Sequence, residues 1–150
     1  MGAVGIPHGE GQRAVLALVA HDAKKEDLLR LAERYRATLA NLRLLATGHT
    51  GRQLVDELGL AVECVRSGPE GGDLEIGARI VAGEVDAVVF LRDPLTAHPH
   101  EPDIQALLKV CDIHGVPLAT NLASAEILLR SLAQAMWWGR GAASAVHAGS

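Results

Sequence analysis

Short apolar runs alternate along the chain with longer segments in which apolar and polar residues recur at helical spacing. The runs are brief and several are rich in Val, which is typical of strands buried on both faces of a sheet. We predict strands at residues 14–20, 42–46, 61–65, 86–91 and 116–119.

The segments between these runs have the amphipathic pattern of helices that pack on a core. Gly59, Gly83 and Gly115 lie where helices should end, and Pro102 suits a first helical turn. We predict helices at residues 24–39, 51–58, 73–82, 102–114 and 124–135.

Five successive strand–helix units predict an α/β protein, a three-layer α/β/α Rossmann-like domain with a five-stranded parallel sheet. We assign residues 13–138 to this domain. Residues 1–12 are rich in glycine and are predicted to be a loose leader, and residues 139–150 a flexible tail of small residues.

Composition and charge exclude several classes of function. The net charge is −4 and no basic run is present, so we expect no nucleic-acid partner. The apolar run at residues 15–20 is too short for a membrane span or a signal sequence, which predicts no membrane partner and a cytoplasmic protein. Cys64 and Cys111 lack metal-ligand spacing, so we expect no metal site and two small buried residues in a reducing compartment.

A polar or glycine-rich segment follows every predicted strand. Because ligands of open parallel sheets bind outside the carboxyl ends of the strands, we expect these segments to form one site. They are residues 21–25, 47–51, 67–73, 92–103 and 120–121.

Two of these segments have the chemistry of an anion site. Thr47-Gly48-His49-Thr50-Gly51 combines hydroxyl groups with free N–H groups at the start of a predicted helix, although a plain N-cap by Thr50 explains the pattern equally simply. Ser67-Gly68 repeats the combination of a hydroxyl and an accessible N–H, for which a turn is the alternative. Lys25 would supply positive charge beside a bound phosphate.

Asp73 follows two glycines at the start of a predicted helix, where it is either an N-cap or a general base. Such a base needs an electrophile on the substrate carbonyl, and His100, between two prolines, is the candidate. His98 and His114 are interpreted as surface residues. Three further carboxylates lie in the segments that follow the strands. Each is either a hydrogen-bond acceptor within its loop or, together with the others, a group that orients His21 and His100; they are Asp22, Asp93 and Asp103.

Taken together, these segments resemble the methylglyoxal synthase family. The resemblance runs from about residue 14 to about residue 132. It rests on LVAHDAKK (18–25), ATGHTG (46–51), SGPEGGD (67–73), RDPLTAHPHEPD (92–103) and VPLATN (116–121).

The resemblance implies a lyase without cofactor or metal that converts dihydroxyacetone phosphate, through an enediolate, to methylglyoxal and inorganic phosphate. The partners are then a small phosphorylated ketone, phosphate as product or inhibitor, and further copies of the chain in a homohexamer. Asp73 would be the base and His100 the carbonyl-polarising residue, with Asp103 grouped among the catalytic residues. The implied substrate and phosphate ligands are His21, Lys25, Thr47, Gly48, His49, Thr50, Ser67 and Gly68, supported by Asp22 and Asp93.

The chain departs from the family pattern at His49, where threonine is usual, and at Leu74-Glu75, where two glutamines are usual. His49 either adds charge to the anion site or points to solvent. The alternative function is a non-catalytic regulatory domain of the same fold that binds a phosphorylated ligand, and a third is an inactive paralogue. Retention of both Asp73 and His100 favours the enzyme, and Trp137-Trp138 adds an apolar surface suited to an oligomer.

Overall fold

The computed structural model describes residues 13–134 and contains one five-stranded parallel sheet in the order β3-β2-β1-β4-β5. The strands are β1 (Val15–Ala20), β2 (Arg43–Thr47), β3 (Val62–Val65), β4 (Ala87–Leu91) and β5 (Leu118–Ala119). The helices are α1 (Lys25–Arg34), α2 (Arg36–Ala40), α3 (Gly48–Leu58), α4 (Gly72–Val81), α5 (Glu101–His114) and α6 (Leu122–Gln134). The predicted three-layer α/β fold is confirmed.

Alternating side chains of the central strands feed two cores, one on each face of the sheet. Leu16 and Leu18 of β1 belong to the core that α1, α2, α3 and α6 cover, whereas Ala17 and Val19 face the core under α4 and α5. Burial of both faces explains why the strands read as continuous apolar runs rather than as alternating patterns.

The predicted single helix over residues 24–39 is wrong, because the chain leaves the helical conformation at Tyr35 between α1 and α2. At this break the Tyr35 hydroxyl donates to Glu126 Oε1 at 3.2 Å and accepts from Arg130 Nε at 3.1 Å, both on α6. These partners are distant in sequence, so the local amphipathic pattern could not indicate the interruption.

One of the two cysteine predictions is also wrong. Cys111 on α5 is buried, and burial, with a smaller contribution from Asp112, raises the pKa of its thiol to about 11. Cys64 is exposed, because β3 lies at the edge of the sheet.

The carboxyl ends of the strands align at one edge of the sheet. Ala20 of β1 pairs with Leu91 of β4, and Thr47 of β2 pairs with Val65 of β3. The segments that follow these strands therefore start close together at this edge of the sheet. Two of these segments contain a single 3-10 turn, at Asp22–Lys24 and Gly68–Glu70.

Some predictions fall outside the described residues. The leader 1–12, the tail 139–150 and the Trp137-Trp138 pair are among them. Among residues 13–134, no helix combines the length and the apolar character that crossing a membrane requires.

Candidate active site

A cavity of about 280 Å³ opens at the carboxyl edge of the sheet. Eight of the residues predicted from sequence line it, and they come from four of the five segments that follow strands. They are His21, Asp22, Lys25, Thr47, His49, Ser67, Asp73 and His100. A larger cavity of about 520 Å³ lies beside the amino ends of β1–β3; Arg79 and Glu63 pair with each other in its wall, and none of the site residues predicted from sequence lines it.

Two glycines bring Asp73 into the cavity wall. Gly71 has a φ of 97°, a left-handed conformation that disfavours other residues, and it occupies the N-cap position of α4. A Cβ on Gly72 would lie 1.9 Å from the carbonyl oxygen of Arg66, so the start of α4 packs directly on the chain that leaves β3. Asp73 is therefore one residue inside the helix, and the N-cap interpretation of this residue is wrong.

The Asp73 carboxylate is buried without a hydrogen bond. Its side chain is 1% exposed, and neither oxygen has a hydrogen-bond partner among the described residues. Oδ2 lies 3.5 Å from Nε2 of His100. Burial raises the pKa of Asp73, His100 acts in the opposite direction, and Asp103 adds to the rise. A buried carboxylate without a hydrogen-bonded partner is costly, which makes it a candidate for chemistry.

His100 occupies the N-cap position of α5, and its carbonyl oxygen accepts the N–H groups of Asp103 and Ile104. Its ring is largely buried, and Nδ1 has no partner among the described residues. The backbone thus holds the imidazole at the start of a helix with one nitrogen near Asp73. Asp103 does not line the cavity, and its carboxylate acts on Asp73 through charge.

His21 follows β1 directly and is 6% exposed. The backbone N–H of Asp93 donates to its Nδ1 at 2.8 Å, which leaves the proton of the neutral imidazole on Nε2. Nε2 is buried and lacks a protein partner in the described part of the chain. Burial lowers the pKa of His21 to about 4, helped by His98, His100 and Arg92 and opposed by Asp93. At neutral pH this ring is therefore a neutral donor through Nε2.

His98 is the site residue that sequence reasoning missed, and its assignment to the surface is wrong. It is half-buried, lines the cavity, and stacks on His21 with ring centroids 3.8 Å apart and an angle of 18° between the planes. The signal was the His98-Pro99-His100 sequence, since residues two apart in an extended segment point to the same side. His114 is exposed, as predicted.

The first turn of α3 forms another wall of the site. The helix begins at Gly48, three residues earlier than predicted, so Thr50 lies inside it and the N-cap interpretation of Thr50 is wrong. Thr47 and His49 line the cavity, whereas the predicted ligand Thr50 does not; Thr50 is 2% exposed, and its hydroxyl has no partner among the described residues. Thr47 occupies the N-cap position but makes no capping hydrogen bond with its side chain. The N–H groups of His49 and Thr50 have no acceptor within the helix, which is the arrangement that attracts anions.

Two further predicted ligands, Lys25 and Ser67, already have polar partners, and a third, His49, is exposed. Lys25 Nζ lies 3.1 Å from Asp22 Oδ1, and this hydrogen bond lowers the pKa of the exposed Asp22 carboxyl. The Ser67 hydroxyl donates to Glu70 Oε1 at 3.0 Å. His49 is exposed and lines both this cavity and a neighbouring one of about 470 Å³.

The remaining predicted residues lie beside the cavity rather than in its wall. Gly48 donates its N–H to the Arg66 carbonyl at 3.4 Å, and Gly68 starts a 3-10 turn. Asp93 orients His21 through its backbone N–H; its carboxylate bonds the Thr96 side chain and the Leu95 N–H, and these bonds lower the pKa of Asp93.

Glu75 does not enter the site. Its Oε1 accepts the N–H of Arg66 at 3.1 Å and ties α4 to the end of β3. Within residues 13–134, no group of three or more His, Cys, Asp or Glu side chains is arranged to hold a metal ion.

Comparison with known proteins gives one family throughout. The family model of the MGS-like domain matches residues 27–120. A methylglyoxal synthase from Cupriavidus taiwanensis is 60% identical over 119 residues, which cover 79% of this chain and 90% of the relative. One from Burkholderia lata is 58% identical over 121 residues, or 81% and 93% of the two chains. The crystal structure of a methylglyoxal synthase from Elizabethkingia anophelis is 40% identical, with a TM-score of 0.74 over 78% of this chain and 77% of that one.

Proposed function

Because the chain belongs to the methylglyoxal synthase family, we propose that it is a carbon–oxygen lyase that converts dihydroxyacetone phosphate to methylglyoxal and inorganic phosphate. The observation that supports this most strongly is the buried Asp73 carboxylate without a hydrogen-bonded partner, 3.5 Å from His100, in a cavity that also adjoins the first turn of α3. A candidate base (Asp73), a candidate electrophile (His100) and a candidate anion site (the first turn of α3) therefore lie around the same cavity.

The phosphate of the substrate binds at the first turn of α3. The N–H groups of His49 and Thr50 and the unpartnered hydroxyl of Thr50 are the donors available there. Lys25 supplies positive charge, and a phosphate dianion competes with Asp22 for its ammonium group. The remaining predicted ligands of this group are Thr47, Gly48, Ser67 and Gly68.

Asp73 then removes a proton from the hydroxymethyl carbon of the substrate. The electron pair of that C–H bond forms a C=C bond, and the carbonyl oxygen becomes an enediolate oxygen. Nε2 of His100 donates a hydrogen bond or a proton to this oxygen, so that the carbon acid is strengthened when the base acts. A raised pKa makes Asp73 a stronger base than an exposed carboxylate.

Elimination completes the reaction without any further group. The hydroxyl oxygen of the enediol loses its proton to His100 and forms the aldehyde C=O bond. The C=C bond shifts by one carbon, and the C–O bond to phosphate breaks with its electron pair leaving on phosphate. The released enol loses its hydroxyl proton to water, takes a proton at its terminal carbon and becomes methylglyoxal, while Asp73 gives the proton that it removed to the departing phosphate or to water.

His21 serves as a fixed neutral donor to a substrate oxygen. Its Nε2 carries the proton because Nδ1 accepts the N–H of Asp93, and its low pKa keeps the ring uncharged at neutral pH. A neutral imidazole here donates a hydrogen bond to substrate without offering a second proton source beside the base.

The competing proposal is a regulatory domain that binds a phosphorylated ligand without turnover. Such a domain needs the anion site at α3 but has no use for a buried carboxylate that lacks a hydrogen bond. Incubation of purified protein with dihydroxyacetone phosphate distinguishes the two proposals when both ligand binding and methylglyoxal formation are measured. Catalytic formation of methylglyoxal supports the lyase, whereas binding without product supports the regulatory domain.

We further propose that the enzyme is cytoplasmic and acts as a homohexamer without metal or organic cofactor. A reducing compartment suits the free thiols of Cys64 and Cys111. Leu74 and Val81 on α4 and Ile113 on α5 are exposed apolar residues that subunit contacts would cover. The negative net charge supports a small phosphorylated ketone rather than nucleic acid as the partner.

A further inference from the structure

Three imidazole rings are packed together at the wall of the cavity. His98 stacks on His21 at 3.8 Å, and the edge of each faces His100, at centroid distances of 5.8 and 6.2 Å. Phe90 closes the other side of His21 with an edge contact at 5.1 Å. The reaction described above uses His100 and His21 and gives His98 no part.

Charged groups lie on several elements that pack against this cluster, and the nearest is Asp73 on α4, whose Oδ2 is 3.5 Å from Nε2 of His100. Arg92 and Asp93 follow β4, Glu101 begins α5, and Asp22 and Lys25 lie at the start of α1; Arg92 lies 3.6 Å from Glu101. His98 and His100 act on His21 electrostatically and oppose its protonation. Burial of the His21 ring and these two neighbours therefore hold the pKa of His21 below its usual range, and the ring stays uncharged at neutral pH.

We propose that His98 is a positioning residue for His21, covering one face of its imidazole and holding Nε2 as a neutral donor at the cavity wall. The stack excludes water from one face of the His21 ring, while Phe90 covers another side. Protonation of His21 would add a second N–H at Nδ1 and break the hydrogen bond from the Asp93 N–H. His98 therefore protects both the charge state and the orientation of His21. The consequence for turnover rests on the proposed lyase function.

The test replaces His98 with alanine and with phenylalanine, and it uses His114→Ala as the matched control, because His114 is an exposed histidine outside the site. The titration of the His21 ring is followed by imidazole NMR, and kcat and KM for dihydroxyacetone phosphate are measured at pH 6 and pH 8. Circular dichroism and Tm establish that each variant is folded.

In the wild type and in His114→Ala we expect His21 to titrate well below its usual range, at about pH 4. In His98→Ala we expect the His21 pKa to rise by at least about one unit, because one face of the ring gains water and a charged neighbour is lost. The value of kcat/KM falls by roughly tenfold at both pH 6 and pH 8, because the donor is displaced at either pH and a pKa shift of this size leaves the ring mainly neutral at both. His98→Phe keeps the ring contact, so both effects are smaller.

An unchanged His21 titration in folded His98→Ala overturns the proposal, whatever happens to activity, because a purely structural role would lower Tm without moving that titration. If His98→Ala does not fold, His98→Phe against His98→Leu gives the same comparison between an aromatic and a non-aromatic cover. Absence of lyase activity in the wild type together with a shifted His21 titration would refute the proposed function and leave the role of His98 intact.

Discussion

Nε2 of His100 lies 3.5 Å from Oδ2 of Asp73, across the gap between the first turns of α5 and α4. The distance is too long for a good hydrogen bond, so the carboxylate stays unsatisfied and both groups remain available to a ligand in the adjoining cavity. Each is held by backbone features, Asp73 by the close packing of Gly72 and His100 by its N-cap position. The site is thus arranged before substrate binds.

The buried carboxylate of Asp73, which lacks a hydrogen bond, lowers the stability of the folded protein, so Asp73→Asn should raise it. The folded-state pKa of Asp73 lies above its ordinary value, so the folded protein binds more protons than the unfolded chain and loses stability as pH rises through that range. Asparagine removes the buried charge, and we expect its Tm to exceed that of the wild type at pH 7. The difference should shrink below about pH 4, where the wild-type carboxyl is protonated in both states. A lower Tm for Asp73→Asn than for the wild type at pH 7 would contradict the claim that the buried charge destabilises the protein.

Gly72 and Gly77 on α4 form a matched pair for testing the packing that holds Asp73. A Cβ at Gly72 would lie 1.9 Å from the Arg66 carbonyl oxygen, whereas one at Gly77 meets nothing within 4 Å. We expect Gly72→Ala to destabilise the protein by about 1–3 kcal/mol and to impair catalysis by moving Asp73. Gly77→Ala should stabilise it by about 0.5–1 kcal/mol through helix propensity and leave activity unchanged. Denaturant unfolding measures both effects, and equal free energies for the two variants would refute the close-packing argument.

His100→Ala should lower kcat/KM by roughly a hundredfold, because enediolate formation loses its electrophile. We expect KM to rise as well, since the imidazole also contacts the carbonyl oxygen of bound substrate. Steady-state kinetics with His114→Ala as the control measure this effect. Near-normal kcat in His100→Ala would remove His100 from the chemistry and leave it as the N-cap residue of α5.

His49 gives a prediction about pH. It is exposed at the first turn of α3, at the cavity wall, where its protonated form would add charge to the anion site. Inorganic phosphate itself loses its second charge between pH 8 and pH 6, so the effect of His49 is measured against His49→Thr: protonation of His49 should strengthen inhibition, or offset its weakening, as pH falls. In His49→Thr this contribution should be lost. Superimposable inhibition profiles between pH 6 and pH 8 would exclude His49 from the site.

Local patterns predicted the sheet well and the helix interruption poorly. All five strands were located within a few residues, and in β1, β2 and β4 the burial of both faces is visible in the composition of each run. At the break, Tyr35 bonds to Glu126 and Arg130, which are distant in sequence. The sequence around Tyr35 therefore gives no indication of the interruption. The exposure of Cys64 follows from the position of β3 at the sheet edge, which strand order alone decides.

The sequence predicted that the segments after the strands would meet at one edge of the sheet, because the topology of a parallel sheet requires it. It did not predict the individual contacts between their side chains. The stack of His98 on His21, the bond from the Asp93 N–H to His21 and the diversion of Glu75 to Arg66 all depend on tertiary packing. The sequence shows that Asp73 follows two glycines, but it does not show what requires glycine at position 72. The neighbouring atom, the Arg66 carbonyl oxygen, emerges only in three dimensions.

The most direct test of the account incubates purified protein with dihydroxyacetone phosphate in the presence of a metal chelator and quantifies methylglyoxal and inorganic phosphate together. We expect equal amounts of both products from the wild type. For Asp73→Asn we expect kcat to be lower by roughly a hundredfold or more, with substrate affinity largely retained, because the base is lost and the phosphate site is not. Asp112→Asn, an exposed carboxylate on α5, serves as the control. Phosphate release without methylglyoxal, loss of turnover with the chelator, or near-normal kcat in Asp73→Asn would contradict the account.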